Sequence, residues 1–317
     1  MPRLFRSCYC RNGLGMHIPD GFLSTPVWAT LDVTAAPVVG YLARRAQRGI
    51  EPSKVPLLGV MGAFVFAAQM INFPVGPGTS GHLVGAALLA YTLGPAAAGV
   101  VLTAILAVQA LVFQDGGILA MGANVINMAV AGMLAGYLPY SIWGAGRWRR
   151  QAIFLGGFLS LMTSALLALS ELLLSGVAMP AAVLRISVGL FAVSAVLEGA
   201  ITLAIMQALE TINPEFVRQP RAEGGRVLGW IGGAAVLLAV AGVAVASAYP
   251  DGIQSLADAT GIASQAKALM RAPLADYQLG MLHSVFLRKA GAGLAGLGLI
   301  FGACMLCGKL LARQRGA

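Results

Sequence analysis

The sequence predicts an all-α protein, a polytopic membrane helix bundle of about nine transmembrane helices. Hydrophobic residues make up 58% of the 317 residues, charged residues only 10%, and the mean hydropathy is +0.81. Soluble domains carry roughly 25% charged residues to cover their surface, so an ordinary soluble fold is excluded. Glycine is frequent, with 41 residues that fall largely inside the apolar runs, as is typical where membrane helices pack closely.

The basic residues indicate orientation. There are 21 lysines and arginines against 12 acidic residues, a formal net charge of +9. They cluster in short loops between apolar runs rather than along an aromatic-interleaved face, which argues against a nucleic-acid partner. By the positive-inside rule these loops are cytoplasmic. The four clusters are Arg44, Arg45, Arg48 and Lys54; Arg147, Arg149 and Arg150; Arg218, Arg221 and Arg226; and Lys309, Arg313 and Arg315.

The predicted membrane segments follow from runs of roughly 20 apolar residues, the length that crosses the hydrocarbon layer. With the basic clusters inside, nine crossings place the N-terminal segment from Met16 outside and the C-terminus in the cytoplasm. We therefore expect a multi-pass protein of the bacterial plasma (inner) membrane, surrounded by lipid. The segments lie near 26–44, 55–73, 80–94, 96–113, 118–142, 152–176, 181–209, 227–248 and 290–308.

A polar stretch with two prolines, 211–226, predicts a cytoplasmic linker between two parts of the chain. The part before it, 16–210, contains seven of the nine predicted helices and forms the core. The part after it, 227–317, contains two helices that enclose a polar external loop over 249–287. The chain is thus predicted to have a core and a C-terminal module.

Two of the three histidines are candidate metal ligands. His17 precedes the Pro-Asp-Gly turn of residues 19–21, and His82 follows a glycine-rich loop that leads into a membrane segment. The predicted topology places both on the outer side. Imidazole is a common ligand of nickel, copper, zinc and iron, so two converging histidines suggest a transition-metal site. The alternative is a pair of hydrogen-bonded interfacial histidines, and histidine placement by itself leaves both open.

Several motifs follow one another in the core. They are Met16-His17-Ile18-Pro19-Asp20-Gly21-Phe22, Gly78-Thr79-Ser80-Gly81-His82, Phe113-Gln114-Asp115-Gly116-Gly117, and Gly122-Ala123-Asn124 with Asn127. Together they resemble the ordered motifs of the CbiM/NikM family, the substrate-binding membrane subunits of energy-coupling-factor importers for cobalt and nickel. The resemblance covers about 16–210 and implies that this core is the metal-binding part. The region from Pro250-Asp251-Gly252 through Pro273–Tyr277 to the end of the sequence resembles the PDGLE module often fused behind that family, although Ile253 and Gln254 stand where the name motif has Leu and Glu.

The resemblance implies a site in which four nitrogens surround the metal in a plane. Carried over by residue, they are the α-amine of Met16, the backbone nitrogen and ring of His17, and the ring of His82. Planar nitrogen ligation suits Ni²⁺ or Cu²⁺ and disfavours magnesium and calcium, which prefer oxygen. Three polar residues are candidates for supporting the metal loops or, alternatively, for helix contacts: Asp115, Asn124 and Asn127.

The implied amine ligand requires Met16 to be the first residue. Residues 1–15 lack the apolar core of a signal peptide, and Arg3, Arg6 and Arg11 would draw the N-terminus inward. We therefore expect residues 1–15 to be a misassigned extension.

The resulting functional prediction is a non-enzymatic transport subunit. It carries Ni²⁺ or Co²⁺ as transported substrate, with no organic cofactor. The sequence lacks a Walker A motif. The resemblance implies that ATP is hydrolysed by cytoplasmic ATPase subunits, which act with a transmembrane coupling subunit. The C-terminal module is expected to stabilise the N-terminal ligand loop or to help load metal. The alternatives are a gradient-driven divalent metal transporter or channel without ATPase partners, an intramembrane metalloenzyme, and a metal sensor.

Overall fold

The computed structural model describes residues 17–213, 225–247 and 249–313. It is a helical bundle with one two-stranded hairpin, so the predicted all-α membrane fold is confirmed. The helices and strands are α1 Thr25–Gln47, α2 Val55–Gln69, β1 Phe73–Gly76, β2 Thr79–Gly81, α3 Ala86–Leu93, α4 Pro95–Phe113, α5 Met121–Trp143, α6 Arg149–Leu174, α7 Ala181–Ile212, α8 Gly225–Val245, α9 Gly252–Thr260 and α10 Val285–Arg313. Short 3₁₀ turns lie at Pro52–Lys54, Ile262–Gln265 and Ala275–Tyr277.

Within the described residues, six helices are long and apolar enough to cross a membrane by themselves, namely α4 to α8 and α10. The helix α1 and the segment Pro52–Gln69 pass the same test only together, with a bend of 116° between them. Counted as one span, they bring the total to seven rather than the nine predicted segments.

The prediction of one membrane segment over 80–94 is wrong, because only part of this range is helical. Strand β2 and an irregular stretch occupy 79–85, and α3 has only eight residues before Gly94 and Pro95. A helix of eight residues rises roughly 12 Å, well short of a membrane crossing. Because α3 is buried almost completely, it is an internal helix of the bundle.

The hairpin β1–β2 carries the segment that leads to His82. Its strands are antiparallel, with Phe73 opposite Gly81 and Pro74 opposite Ser80. The last turn of α4, Gln109–Phe113, and the middle of α5, Val125–Gly132, are π-helical. Such widened turns are frequent at functional sites, and these two flank the connection between α4 and α5.

The close crossing of α6 and α7 depends on two glycines. A Cβ atom on Gly157 would lie 2.8 Å from the Cα atom of Gly199, closer than real Cβ atoms approach. The crossing brings the neighbouring Glu198 inside the bundle, where its side chain is fully buried.

The C-terminal module packs on the core. Helices α8 and α10 lie against α2 and against each other, and α9 contacts α7 and β2. The carboxylate of Asp251 caps α9 by accepting a hydrogen bond from the backbone nitrogen of Gln254 at 2.6 Å. Part of the predicted linker is helical, because α7 continues to Ile212; residues 214–224 lie outside the described part of the chain.

Candidate metal site

The two predicted histidines lie together. The ring centroids of His17 and His82 are 5.8 Å apart, with an angle of 28° between the ring planes. Both side chains are buried, with exposed fractions of 3% and 1%. Residues 65 positions apart in sequence therefore form one enclosed pair of imidazoles, as the metal-site hypothesis requires.

The N-terminal segment that carries His17 is anchored by Asp20. Its carboxylate accepts hydrogen bonds from the backbone nitrogens of Ile118 at 2.9 Å and Leu119 at 2.7 Å. A Cβ atom on Gly117 would lie 2.6 Å from the backbone nitrogen of Asp20, so this close approach depends on glycine. The Pro-Asp-Gly turn thus fixes the segment to the connection between α4 and α5.

The predicted residue Asn124 holds the same segment from α5. Its Oδ1 atom accepts from the backbone nitrogen of Ile18 at 2.8 Å, and its Nδ2 atom donates to the carbonyl oxygen of Ile18 at 3.1 Å. One side-chain amide satisfies both backbone groups of the residue that follows His17. The expected supporting position of Asn124 agrees with this geometry.

The predicted residue Asp115 contacts His17 directly. The Oδ1 atom of Asp115 lies 3.0 Å from Nδ1 of His17. Burial disfavours the charged ring, but the charge and hydrogen bond of Asp115 outweigh it, so the pKa of His17 is raised above its ordinary value. The Nε2 atom of His17 is buried and has no hydrogen-bond partner among the described residues.

The ring of His82 is held in its neutral form. Nδ1 of His82 lies 2.9 Å from the carbonyl oxygen of Leu83, which assigns the ring proton to Nδ1 and the lone pair to Nε2. Burial, and then the nearby ring of His17, lower the pKa of His82 to about 4. A neutral imidazole is the form that binds a metal ion.

The segment after His82 is fixed by Glu198 of α7. The carboxylate accepts hydrogen bonds from the backbone nitrogens of Val84 at 2.8 Å and Gly85 at 2.9 Å. Gly85 has φ +72°, a conformation that other residues adopt at a cost, which turns the chain from the hairpin into α3. Both partners of the Glu198 carboxylate thus belong to the histidine segment.

The C-terminal module covers the site from outside the spans. The backbone nitrogen of Ser80 donates to the carbonyl oxygen of Pro250 at 2.8 Å. The side-chain hydroxyl of Ser80 donates to the carbonyl oxygen of Tyr249 at 2.7 Å. On the other side, the backbone nitrogen of Lys267 donates to the carbonyl oxygen of Asp20 at 2.9 Å. The module therefore contacts both histidine segments.

Sequence reasoning missed Tyr277, which connects the module to both histidine segments. Its hydroxyl donates to Oδ2 of Asp115 at 2.6 Å and lies 3.4 Å from Nε2 of Gln109. Gln109 also donates to Gln69 at 3.0 Å, and Gln69 donates to the carbonyl oxygen of Val84 at 2.8 Å. The available signal was the Pro-Leu-Ala-Asp-Tyr sequence, which marked the module but not the contact.

Other predicted residues lie elsewhere. The Nδ2 atom of Asn127 donates to Glu171 of α6 at 2.8 Å, so this amide joins two helices rather than supporting a histidine segment. Met16 lies outside the described residues. No group of three or more His, Cys, Asp or Glu side chains that could hold a metal ion occurs in the described ranges.

Comparison with known proteins decides the family. Residues 17–216 match the family CbiM, described as the cobalt uptake substrate-specific transmembrane region. The chain belongs to the CbiM family. Residues 225–313 match the PDGLE domain, so the CbiM region is fused to a PDGLE domain despite the departure at Ile253 and Gln254. The predicted family and the predicted fusion are confirmed.

Named relatives of this CbiM-family protein are transport proteins. It is 29% identical to the fused nickel transport protein NikMN of Rhodobacter capsulatus, over 95% of this chain and 100% of that protein. It is 37% identical to the cobalt transport protein CbiM of Thermosediminibacter oceani, over 46% of this chain and 61% of that protein. A crystal structure of a truncated transition metal transporter matches with a TM-score of 0.55 and 33% identity, covering 61% of this chain and 98% of that chain.

Proposed function

We propose that this chain is the substrate-binding membrane subunit of an ATP-driven energy-coupling-factor importer, and that it binds Ni²⁺ or Co²⁺ on the outer side of the membrane before transport. The observation that carries the proposal is the buried pair of rings, His17 and His82, 5.8 Å apart. Neutral nitrogens in an enclosed site suit these ions, and relatives are named for nickel and cobalt transport.

The proposed ligands are the α-amine of Met16, the backbone nitrogen and ring of His17, and the ring of His82. Only Nδ1 of His17 can close a small chelate ring with the backbone nitrogen of its own residue. Because Nδ1 is hydrogen-bonded to Asp115, loading the metal releases the Nδ1 proton to solvent and exchanges that hydrogen bond for a metal–nitrogen bond. Nickel and cobalt both accept nitrogen ligands, so the proposal includes both ions.

The proposed topology places the histidine site outside and the basic loops in the cytoplasm. Arg45, Lys54 and Arg149 line a cavity of about 1170 Å³ at the other end of the bundle. On this side we place the contacts with a transmembrane coupling subunit and cytoplasmic ATPase subunits, which would supply the energy for uphill import. The C-terminus is then cytoplasmic, and the membrane is the bacterial plasma membrane.

Uptake of labelled nickel and cobalt in cells that carry the complete partner set tests the proposal. We expect His17→Ala and His82→Ala to abolish uptake, while His283→Ala, an exposed histidine in the module, leaves it unchanged. Normal uptake by both of the first two variants would contradict the site. Uptake by this chain without ATPase partners would instead support a gradient-driven transporter.

The start residue has a separate test. Intact-mass spectrometry of the purified protein identifies the first residue, and chains started at Met1 and at Met16 are compared for uptake. We expect the active protein to begin at Met16, because the amine can be a ligand only there. A mature chain that begins at Met1 and still imports metal would overturn the amine ligand without affecting the histidine pair.

A further inference from the structure

The hydroxyl of Tyr277 lies against the carboxylate that contacts a candidate ligand. Asp115 has one hydrogen-bond partner on each oxygen: Nδ1 of His17 on Oδ1 at 3.0 Å, and the hydroxyl of Tyr277 on Oδ2 at 2.6 Å. The Tyr277 side chain is 2% exposed, and Asp115 is 7% exposed. A short hydrogen bond to a buried carboxylate is among the stronger hydrogen bonds in proteins.

The backbone around Tyr277 is held in an unfavourable conformation. Asp276 and Tyr277 have φ values of 56° and 55°, in the left-handed region that costs energy for residues other than glycine. Consecutive residues of this kind persist only where the surroundings fix them, and they cluster at functional sites. The backbone nitrogen of Leu274 donates to the carbonyl oxygen of Val112 at 2.9 Å, which secures this turn to the end of α4.

The ring of Tyr277 is fixed independently of its hydroxyl. It stacks on Phe113 with centroids 4.5 Å apart and lies 6.2 Å from the ring of Phe66. Gln109 directs an Nε2–H group at the hydroxyl oxygen at 3.4 Å, which leaves the hydroxyl proton for Asp115. Packing therefore places the ring, and the hydrogen bonds orient the hydroxyl.

We propose that Tyr277 of the PDGLE domain is a positioning residue of the metal site, which holds Asp115 in place while His17 exchanges Asp115 for the metal ion. This inference rests on the proposed function. When Nδ1 of His17 binds the metal, Asp115 loses the donor on Oδ1, and a buried carboxylate without a donor is costly. The hydroxyl of Tyr277 remains as its donor, so it stabilises the loaded site relative to the unloaded one.

This role explains why a module without a candidate ligand is attached to the core. The module supplies one hydroxyl to the carboxylate beside His17, and the same hydroxyl is connected through Gln109 and Gln69 to the segment after His82. Hydrogen-bonding partners of this kind change metal affinity by roughly 10-fold to 100-fold in other metal sites. The PDGLE domain therefore sets the affinity of the site without touching the ion.

The test is a metal titration of the purified full chain with Ni²⁺. We expect Tyr277→Phe, which retains the stacked ring, to weaken Ni²⁺ binding about 10-fold. The visible absorption of bound Ni²⁺ keeps its position, because the ligands are unchanged. The matched control is Tyr91→Phe, which removes another buried hydroxyl. That hydroxyl donates to the carbonyl oxygen of Gly136 at 2.9 Å rather than to Asp115, and Tyr91 lines the cavity at the other end of the bundle. This control variant should bind Ni²⁺ as the wild type does.

A double-variant cycle separates positioning from a loss of stability. In an Asp115→Asn background, Tyr277→Phe should have little further effect on affinity, because the hydroxyl acts through the carboxylate. The same 10-fold loss in both backgrounds would overturn the role, as would unchanged binding by Tyr277→Phe in a chain that binds Ni²⁺. A wild-type chain that binds neither Ni²⁺ nor Co²⁺ would overturn the proposed function and this inference together.

Discussion

The carboxylate of Glu198, in the middle of a membrane helix, accepts a hydrogen bond from the backbone nitrogen of Val84, 114 residues earlier in the chain, at 2.8 Å. Its other oxygen accepts from the next backbone nitrogen, that of Gly85, at 2.9 Å. A buried carboxylate is costly unless it is well hydrogen-bonded, and here both oxygens are used to hold the segment that follows His82. The ligand loop is thus fixed from a helix that carries no ligand.

Glu198→Gln should destabilise the protein and weaken metal binding. The amide nitrogen of glutamine cannot accept a hydrogen bond, so one backbone N–H group loses its partner, at a cost of about 2 kcal/mol. We expect a lower melting temperature and a weaker Ni²⁺ affinity. Thermal unfolding and Ni²⁺ titration measure the two effects.

The matched control is Glu171→Gln on α6, whose carboxylate accepts from Nδ2 of Asn127 at 2.8 Å. This variant should leave Ni²⁺ affinity unchanged, because its partner holds no histidine segment, and the amide oxygen of the glutamine can still accept from Asn127. If both variants reduced affinity equally, Glu198 would have no particular role in placing His82.

Asp20→Asn should release the segment that carries His17. The two carboxylate oxygens of Asp20 accept from the backbone nitrogens of Ile118 and Leu119. An asparagine has one acceptor oxygen and can keep only one of these two hydrogen bonds. We expect Ni²⁺ affinity to fall about 10-fold, as for other residues that orient a metal ligand. The measurement is a Ni²⁺ titration of the purified chain.

Asp32→Asn is the corresponding control. The Asp32 carboxylate also accepts from a backbone nitrogen, that of Gly122 at 2.6 Å, but it belongs to α1 rather than to the His17 segment. Its Ni²⁺ affinity should remain near that of the wild type. Equal losses from both changes would indicate a general effect of disturbing the connection between α4 and α5.

Metal affinity should fall with decreasing pH because the proposed nitrogen ligands bind only without their protons, and the ring of His17 should contribute part of this loss. Its pKa is raised above 6.5 despite burial, because Asp115 favours the charged ring, so protons compete with the metal as the pH falls through this raised value. His82, with its pKa lowered to about 4, stays neutral over the same range. Ni²⁺ titrations at several pH values should show this loss above pH 6.5.

The Asp115→Asn variant checks the cause of that pH dependence. Without the carboxylate charge, the pKa of His17 should drop, because burial is then opposed only by the smaller effect of the Asp251 charge. The midpoint of the pH dependence should therefore move to lower pH, although the affinity at high pH is also reduced. An unchanged midpoint would show that His17 does not govern the competition.

Single cysteines test the proposed orientation, in a chain whose four native cysteines are replaced by alanine. Pro77→Cys lies at the tip of the hairpin and Gly146→Cys in the basic loop between α5 and α6, both at exposed positions. A membrane-impermeant maleimide should label the first in intact cells and the second only after lysis. Labelling in the reverse order would place the histidine site in the cytoplasm.

The sequence by itself determined the class of the protein and its family. It also singled out the two histidines that lie together in the structure. These properties are local or additive: apolar length predicts a membrane helix, basic loops predict orientation, and ordered motifs such as Gly78–His82 predict the family. The same local reasoning overestimated the number of spans. It read 80–94 as one segment, where a strand, an irregular stretch and a short buried helix follow one another, and it counted 26–44 and 55–73 as two spans, although α1 and Pro52–Gln69 pass as a span only together.

Only the tertiary structure decided which of the predicted polar residues contact the segment that carries His17. Asp115 and Asn124 contact the His17 segment, whereas Asn127, three residues further along α5, donates to Glu171. A polar side chain inside a membrane bundle must find a hydrogen-bond partner, but the partner depends on how distant helices cross. Tyr277 lies 162 residues from Asp115. The two side chains meet because the turn of the module around Tyr277 packs on the end of α4, and a local sequence pattern cannot predict such a distant contact.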